Sequence, residues 1–283
     1  MAALSVLRGL VQLKLRDTGT RVLSSANVTS LLNEALNEWV NYTEEIRQEN
    51  AYAITANQFD YAAPTDMIRL LQAWYGPTYI PIEVASHHEL MDAGGYRLTE
   101  TGTPRKIIVE GPNAAQRFRL WPAPSSTSVT TTLNDSGGID TSATSVILTD
   151  ASSFRTPAGW ISIESEKILY QSVSSNTMSL LRRAMGQTTA ATHADGTTAT
   201  QLDLHVVYSR LPTALSGDSD VPEIDIRFHT RLVTYAVAQA LRLDGRLDQA
   251  MALDAEWSKH LTEGRRLVRK IQGAAPSMIR TYY

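Results

Sequence analysis

The chain has no cysteine among its 283 residues. Structural disulfides, thiolate zinc sites and thiol nucleophiles are therefore excluded. It has no excess of positive charge either: 26 lysines and arginines stand against 29 aspartates and glutamates, a net charge of −3. A free-standing nucleic-acid reader carries a basic face and a basic balance, so tight sequence-specific DNA binding is disfavoured. No apolar run approaches the roughly 20 residues that span a bilayer. The start, MAALSVLRGLVQLKLRD, lacks a charged segment ahead of a continuous apolar core, and reads as an amphipathic helix rather than a signal peptide. Phosphate-binding and hydrolase signatures are missing too. Gly94-Gly95 is not followed by a lysine and a hydroxyl residue, and no G-x-S-x-G elbow occurs.

What is present is the composition of a folded globular chain, 43% hydrophobic and 19% charged, long enough for one large domain or two ordinary ones. The most informative feature is an interruption. The segments RFRLW (117–121) and DLHVVY (203–208) read as partner strands, closed by Pro122-Ala123-Pro124 and by Arg210-Leu211-Pro212. Between them lies a Ser/Thr/Gly-rich stretch with its own strand pattern. Insertions are tolerated at exposed loop tips. The expected organisation is therefore a core of residues 1–125 and 202–272, an inserted β domain at 126–201, and a tail at 273–283.

Within the core, Ser5 is a candidate cap for a short helix with Leu7, Leu10 and Val11 on its apolar face and an extension of that face through Leu13 to Leu15. Asp17-Thr18-Gly19-Thr20 ends it. Ser24, Ser25 or Asn27 then caps a stronger helix, whose Val28, Leu31, Leu32, Ala35, Leu36, Trp39 and Val40 recur at helical spacing. Tyr52, Ile54, Phe59 and Tyr61 suggest a hairpin around residues 56–58. Residues 66–75 read as an edge strand or a helical turn. Residues 80–84, 107–110 and 117–121 are strand candidates, and 86–91 a helical turn. The insert carries short strands at 145–148, 159–163, 168–170 and 178–181 between turn-rich segments, hence a small antiparallel barrel or sandwich. The end is helical. Pro222 fits a first helical position, and Phe228, Leu232, Tyr235, Ala236, Ala240 and Leu243 form a stripe broken by Asp244-Gly245. A last helix spans residues 247–271 through Ala250, Met251, Ala255, Trp257, Leu261 and Val268, weakened locally by Gly264. The fold class is thus α+β: a helical bundle with a small sheet, carrying the inserted antiparallel barrel or sandwich.

Candidate chemistry is sparse. His87-His88 is the lone histidine pair; Asp92 lies four after His88, but no third metal ligand is near. His229 and His260 read as surface or interface residues, and His205 as packed rather than catalytic. Glu164 and Glu166 fall on one face of a strand. A glycosidase carboxylate pair needs a cleft between two separated arms, so a solvated edge is the plainer reading. No catalytic residue, cofactor or metal is assigned. Arg265, Arg266, Arg269 and Lys270 form one positive face near a helix end. Such a face complements the helix dipole and aids solubility, or meets an acidic partner. Beyond Ala274-Ala275-Pro276, the aromatic end Tyr282-Tyr283 suggests a docking tail, with simple disorder as the alternative.

Together, NVTSLLNEALNEWVNYTEEI, the strand-turn RFRLWPAP and the ending VPEIDIRFHTRLVTYAVAQALRLDGRLDQAMALDAEWSKHLTEGRRLVRK resemble the head-to-tail connector, or portal adaptor, proteins of tailed bacteriophages. The segments SVILTDASSF, GWISIESEKILYQSV and LLRRAMGQTTAATHADGT resemble small β modules of phage virion proteins. The resemblance implies a structural, non-enzymatic protein of the virion neck, assembled in the host cytoplasm. It implies a ring, usually of twelve copies, beneath the portal, which extends the DNA channel and carries the tail. The partners implied are the portal ring, tail or nozzle proteins, further copies of the chain, and genomic DNA passing without sequence-specific binding; no membrane is involved. Portal contact falls to Arg265, Arg266, Arg269 and Lys270 with Ser277, Met278, Ile279, Arg280, Thr281, Tyr282 and Tyr283. Trp39, Trp74, Trp121 and Trp257 read as core or interface anchors. Twelve copies at −3 each carry about −36, a mildly repulsive lumen that lets DNA slide. The competing function is a carbohydrate- or receptor-binding virion protein, acting through an aromatic platform at Trp160 and Tyr170 of the insert.

Overall fold

The structure is a computed structural model and describes residues 2–16, 23–76, 78–92, 100–112 and 115–274. Among the described residues five α-helices are seen: α1 (Leu4–Leu15), α2 (Ser25–Thr43), α3 (His87–Asp92), α4 (Leu232–Leu243) and α5 (Leu247–Ala274). The strands run β1 (Arg47–Tyr52), β2 (Asp60–Ala62), β3 (Met67–Tyr75), β4 (Ile80–Val84), β5 (Thr101–Gly102), β6 (Lys106–Glu110), β7 (Arg117–Trp121), β8 (Ala123–Pro124) and β9 (Thr130–Thr132). They continue with β10 (Ser145–Ile147), β11 (Gly159–Ile163), β12 (Glu166–Tyr170), β13 (Ser172–Ser174), β14 (Thr177–Ser179), β15 (Arg182–Met185), β16 (Thr198–Gln201) and β17 (Leu204–Arg210). The fold is α+β, as expected, but rich in strands rather than dominated by helices. The chain divides into two units, Met1–Arg47 with Ser209–Tyr283, and Gln48–Tyr208.

In the first unit α1, α2, α4 and α5 pack on one another. Helix α2 follows its sequence pattern. The Ser24 hydroxyl accepts from the Asn27 backbone N–H at 3.2 Å, and every residue of the predicted stripe is buried. Helix α1 begins one residue before Ser5, after Ala3, with no side-chain cap, and buries Leu4, Leu7 and Val11. The later helices start differently from expectation. Pro222 opens no helix. Asp225 caps a 3-10 helix, Ile226–Arg231, accepting from the Arg227 N–H, and α4 follows it. Helix α5 continues three residues past the expected end, to Ala274.

Trp39 is the centre of this unit. It is wholly buried, its ring 4.7 Å from that of Phe228 and 5.8 Å from that of Trp257. Its indole N–H donates to Glu45 Oε2 at 2.9 Å, while Glu45 Oε1 accepts the Asp225 backbone N–H at 2.8 Å. One carboxylate therefore ties the end of α2 to the start of the 3-10 helix. Gly264 is the seat for that indole: a Cβ on it would stand 2.4 Å from Trp39 Cη2. The glycine that reads as a local weakness of α5 is what lets α5 approach α2 closely.

The second unit contains a curled seven-stranded sheet in the order β1-β17-β3-β4-β6-β7-β2. Three expectations change here. β7 and β17 share this sheet but are not neighbours, because β3, β4 and β6 lie between them. β3 is an inner strand, not an edge; Met67, Leu70 and Ala73 are buried at every third residue, a spacing that imitates a helical turn in sequence. β1 and β2 form no hairpin and sit at opposite ends of the sheet. The chain after β1 bonds elsewhere: Ile54 N–H donates to Ser128 Oγ, Ala56 N–H to Thr127 Oγ1 and Asn57 N–H to the Pro124 carbonyl. Backbone groups that find partners there are not offered to a neighbouring hairpin strand.

Strands β9 to β16 form two further antiparallel sheets, one ordered β15-β12-β11-β16-β9 and one ordered β10-β14-β13. Both feed one core, with Val146 and Met178 from the smaller sheet meeting Ile161, Ile163, Ile168 and Tyr170 from the larger. The seven-stranded sheet has its own core around Phe118, Leu120, Leu204, Val206 and Tyr208.

Candidate functional site

The basic cluster sits on the outer side of α5. Trp257, Leu261, Gly264 and Val268 are turned inward, at spacings of four, three and four. Helical periodicity then turns Arg266, Arg269 and Lys270 outward, and all three are exposed. Arg265 is half-buried, with its guanidinium 5.1 Å from the centroid of the Tyr42 ring on α2. It therefore anchors the helix through a cation–π contact, while the charges of the other three face solvent. One turn earlier, Ser258, Lys259, Thr262, Glu263 and Arg266 line a shallow open groove, and Glu263 pairs with Arg231 at 2.9 Å. The tail residues Ser277, Met278, Ile279, Arg280, Thr281, Tyr282 and Tyr283 lie outside the described residues, as do Gly94-Gly95 and the break at residues 17–20.

The four tryptophans read as anchors separate into two pairs. Trp39 and Trp257 are in the core of the helical unit, whereas Trp74 and Trp121 are half-buried on β3 and β7. Trp121 packs on Ala85 and Ile108. The aromatic platform expected at Trp160 and Tyr170 does not exist on the surface. Trp160 is enclosed with Ala51 and Leu202, and Tyr170 lies in the core of the β9–β16 sheets, donating its hydroxyl to the Arg155 carbonyl at 2.8 Å. Both rings alternate inward on twisted strands, so neither face meets a sugar.

The acidic pair also differs from its sequence reading. Glu164 is not on the strand: it occupies the turn between β11 and β12, with φ 52°, and its side chain is 61% exposed. Glu166 opens β12 and its side chain is 0% exposed. A buried carboxylate is stable when every oxygen is bonded. Glu166 accepts from Arg183 Nε and Nη2, both at 2.7 Å, from the Ala184 and Ala191 backbone N–H groups, and from His193 Nε2 at 2.9 Å. The other His193 nitrogen faces Glu164 at 2.9 Å. Arg183 also donates to the carbonyls of Asp140 and Ala191, each at 2.6 Å. Burial by itself would raise the Glu166 pKa, but the bonds from Arg183, Ala191, His193 and Ala184 outweigh it and hold the group at about 2. This is an acid locked in its ionised form, suited to holding β12, β15 and the loop after β15 together rather than to donating a proton. Arg183 and His193 carried no sequence signal, because their partners lie 17 and 27 residues away.

The remaining histidines divide similarly. His205 is packed, as expected, with its ring 4.6 Å from that of Tyr79 and 6.1 Å from that of Trp160. Burial, reinforced by the nearby Arg155 charge and opposed by the hydrogen bond that the imidazole donates to the Leu202 carbonyl, pulls its pKa down to about 3. His229 is a correction: it is buried, not superficial, with Nε2 bonded to the Ile224 carbonyl at 2.9 Å. His260 is half-buried on α5 beside Glu256. His87 is exposed and bonds Glu110 through Nδ1 at 3.1 Å. Among the described residues no group of three His, Asp or Glu side chains is placed to hold a metal ion. Nor is any helix among them long and apolar enough to cross a membrane.

The chain is a strand-rich α+β protein. Its family is explicit: the model of the SU10 adaptor protein family matches residues 1–280, and the chain belongs to that family of phage head-to-tail adaptors. It is accordingly a structural adaptor and a virion component that interacts with other virion proteins. No curated protein matches the chain.

Proposed function

We propose that the chain assembles as a twelve-membered ring beneath the portal, extends the DNA channel and provides the platform for the tail. The observation that carries this reading is the family match over residues 1–280. In this reading α1, α2, α4 and α5 form a helical bundle that builds the ring wall. Residues 126–201 are an accessory β sandwich set into a loop of the core, turned outward toward tail proteins or neighbouring copies. The exposed face of Arg266, Arg269 and Lys270, with Arg265 behind it and Ser277–Tyr283 beyond it, makes the portal contact. The net charge of −3 per copy suits a lumen through which DNA passes without sticking. No catalytic step is assigned to it.

Electron microscopy of the full chain mixed with its cognate portal ring tests the reading, beside a chain truncated after Gly273. A collar of density under the portal that disappears on truncation is the expected result. A portal left bare by the full chain would overturn the adaptor role at the portal. A collar that survives truncation would remove the tail from the contact.

A further inference from the structure

Helix α1 has two apolar faces. Leu4, Leu7 and Val11 are buried in the helical unit, yet Val6 and Leu13 are 53% and 69% exposed. Between them on the outer side lies Gly9, in mid-helix and exposed. A Cβ added there would meet nothing within 4 Å, and its backbone needs no glycine, so nothing among the described residues explains the choice. Glycine on an open helix face is costly to the helix and is used where another backbone or a large side chain approaches closely. Gly264 shows that use within this chain.

The turn between α4 and α5 is the counterpart. Leu243, Leu247 and Met251 are 71%, 59% and 67% exposed. Leu247 and Met251 are four apart on α5, exposed along the flank of the face that buries Ala250 and Trp257. The apolar stripe read from sequence through Leu243 and Met251 is thus split, and these two belong to the outside. Charge complements shape. Helix α1 carries no acid; its Arg8 already pairs with Asp218 of the same chain, and its Lys14 is exposed. Residues 242–256 carry Arg242 and Arg246 against Asp244, Asp248, Asp254 and Glu256.

We propose that neighbouring copies join head to tail, with the outer face of α1 on one copy seating the α4–α5 corner of the next. Gly9 is the notch, and Leu247 or Met251 is the knob that enters it. The two faces differ, so the contact is heterologous and propagates around a ring instead of ending at a pair. Lys14 meets the acidic side of the corner and sets the direction of joining. This rests on the ring reading above, and it names the surface that closes the ring.

The absence of cysteine makes the test clean. Leu13→Cys and Met251→Cys are introduced singly and together in the full chain. Each is oxidised mildly, concentrated alone and mixed with the cognate portal, then run on a non-reducing gel. The double variant is expected to give a ladder of dimer, trimer and higher multiples, and each single variant to stay monomeric. Dimers from Leu13→Cys alone, or from Met251→Cys alone, would mean that like faces meet and would overturn the pairing. A collar under the portal with no ladder would overturn it too and leave the adaptor role standing. A ladder with no collar would keep the pairing and remove the portal. Gly9→Ala provides a second readout with opposite signs. The free chain should melt about 2–4 °C higher, while ladder yield from the double variant falls several-fold. An unchanged ladder would show that no partner enters at Gly9.

Discussion

The helical unit and the β9–β16 sheets hold their centres by opposite means. In the first, the centre is an indole: Trp39 is buried against Phe228 and Trp257 and satisfied by one carboxylate, Glu45. In the second, an ion group tightens the structure beside an apolar core: Glu166, Arg183 and His193 are almost wholly enclosed. Packing of the first kind depends first on shape. The second kind depends on protonation state and on every bond being made. One chain therefore contains a region whose weak point is steric and another whose weak point is electrostatic.

The sharpest way to break this comparison is to remove one member of the ion group. Arg183→Met leaves the Glu166 carboxylate buried without its main partner and should cost about 3–5 kcal/mol. Hydrogen exchange should show the loss in residues 133–199, with the amides of α2 unchanged. If α2 loosens equally, the two regions do not fail independently. The steric counterpart is Gly264→Ala. Helix propensity alone predicts a gain of about 1 kcal/mol. The clash with Trp39 predicts a net loss of about 1–3 kcal/mol instead, read as a lower denaturant midpoint at unchanged slope. A stabilised variant would show that α2 and α5 do not need their close approach.

A third test separates the regions by pH. Glu166 is held at about 2, below its ordinary 4.5, so its contribution is complete above 4.5 and is lost as pH falls toward 2. His205 is held at about 3, below its ordinary 6.5, so it opposes protonation in the fold. Its contribution is complete above 6.5 and declines from there toward pH 3. Acid titration followed by hydrogen exchange should therefore loosen Gln48–Tyr208 before the helical unit. His205→Phe should flatten the part of the decline between pH 6.5 and 4.5. An unchanged slope in that variant would assign the upper window to another group.

Local pattern was legible wherever one element supplied its own signal. The stripe from Val28 to Val40 and the Ser24 cap define α2 because i, i+3 and i+4 neighbours meet on one face whatever else the chain does. Arg266, Arg269 and Lys270 of α5 fall outward for the same reason, and the turn-separated short strands of residues 126–201 announce antiparallel sheets. The resemblance of these segments to phage adaptors agrees with the family match. Tertiary structure alone decided the rest. Burial at Met67, Leu70 and Ala73 belongs to an inner strand because its neighbours come from residues 80–84 and 204–210, and a three-residue spacing cannot announce that. Glu166 is a buried ion because Arg183 and His193 arrive from other segments. Gly264 is a seat rather than a flaw because Trp39 enters from a helix more than two hundred residues earlier in the sequence. Helical and strand periodicities are short-range and survive in sequence. Strand order, buried charge and close packing are long-range, and they exist only once the chain has brought distant residues together.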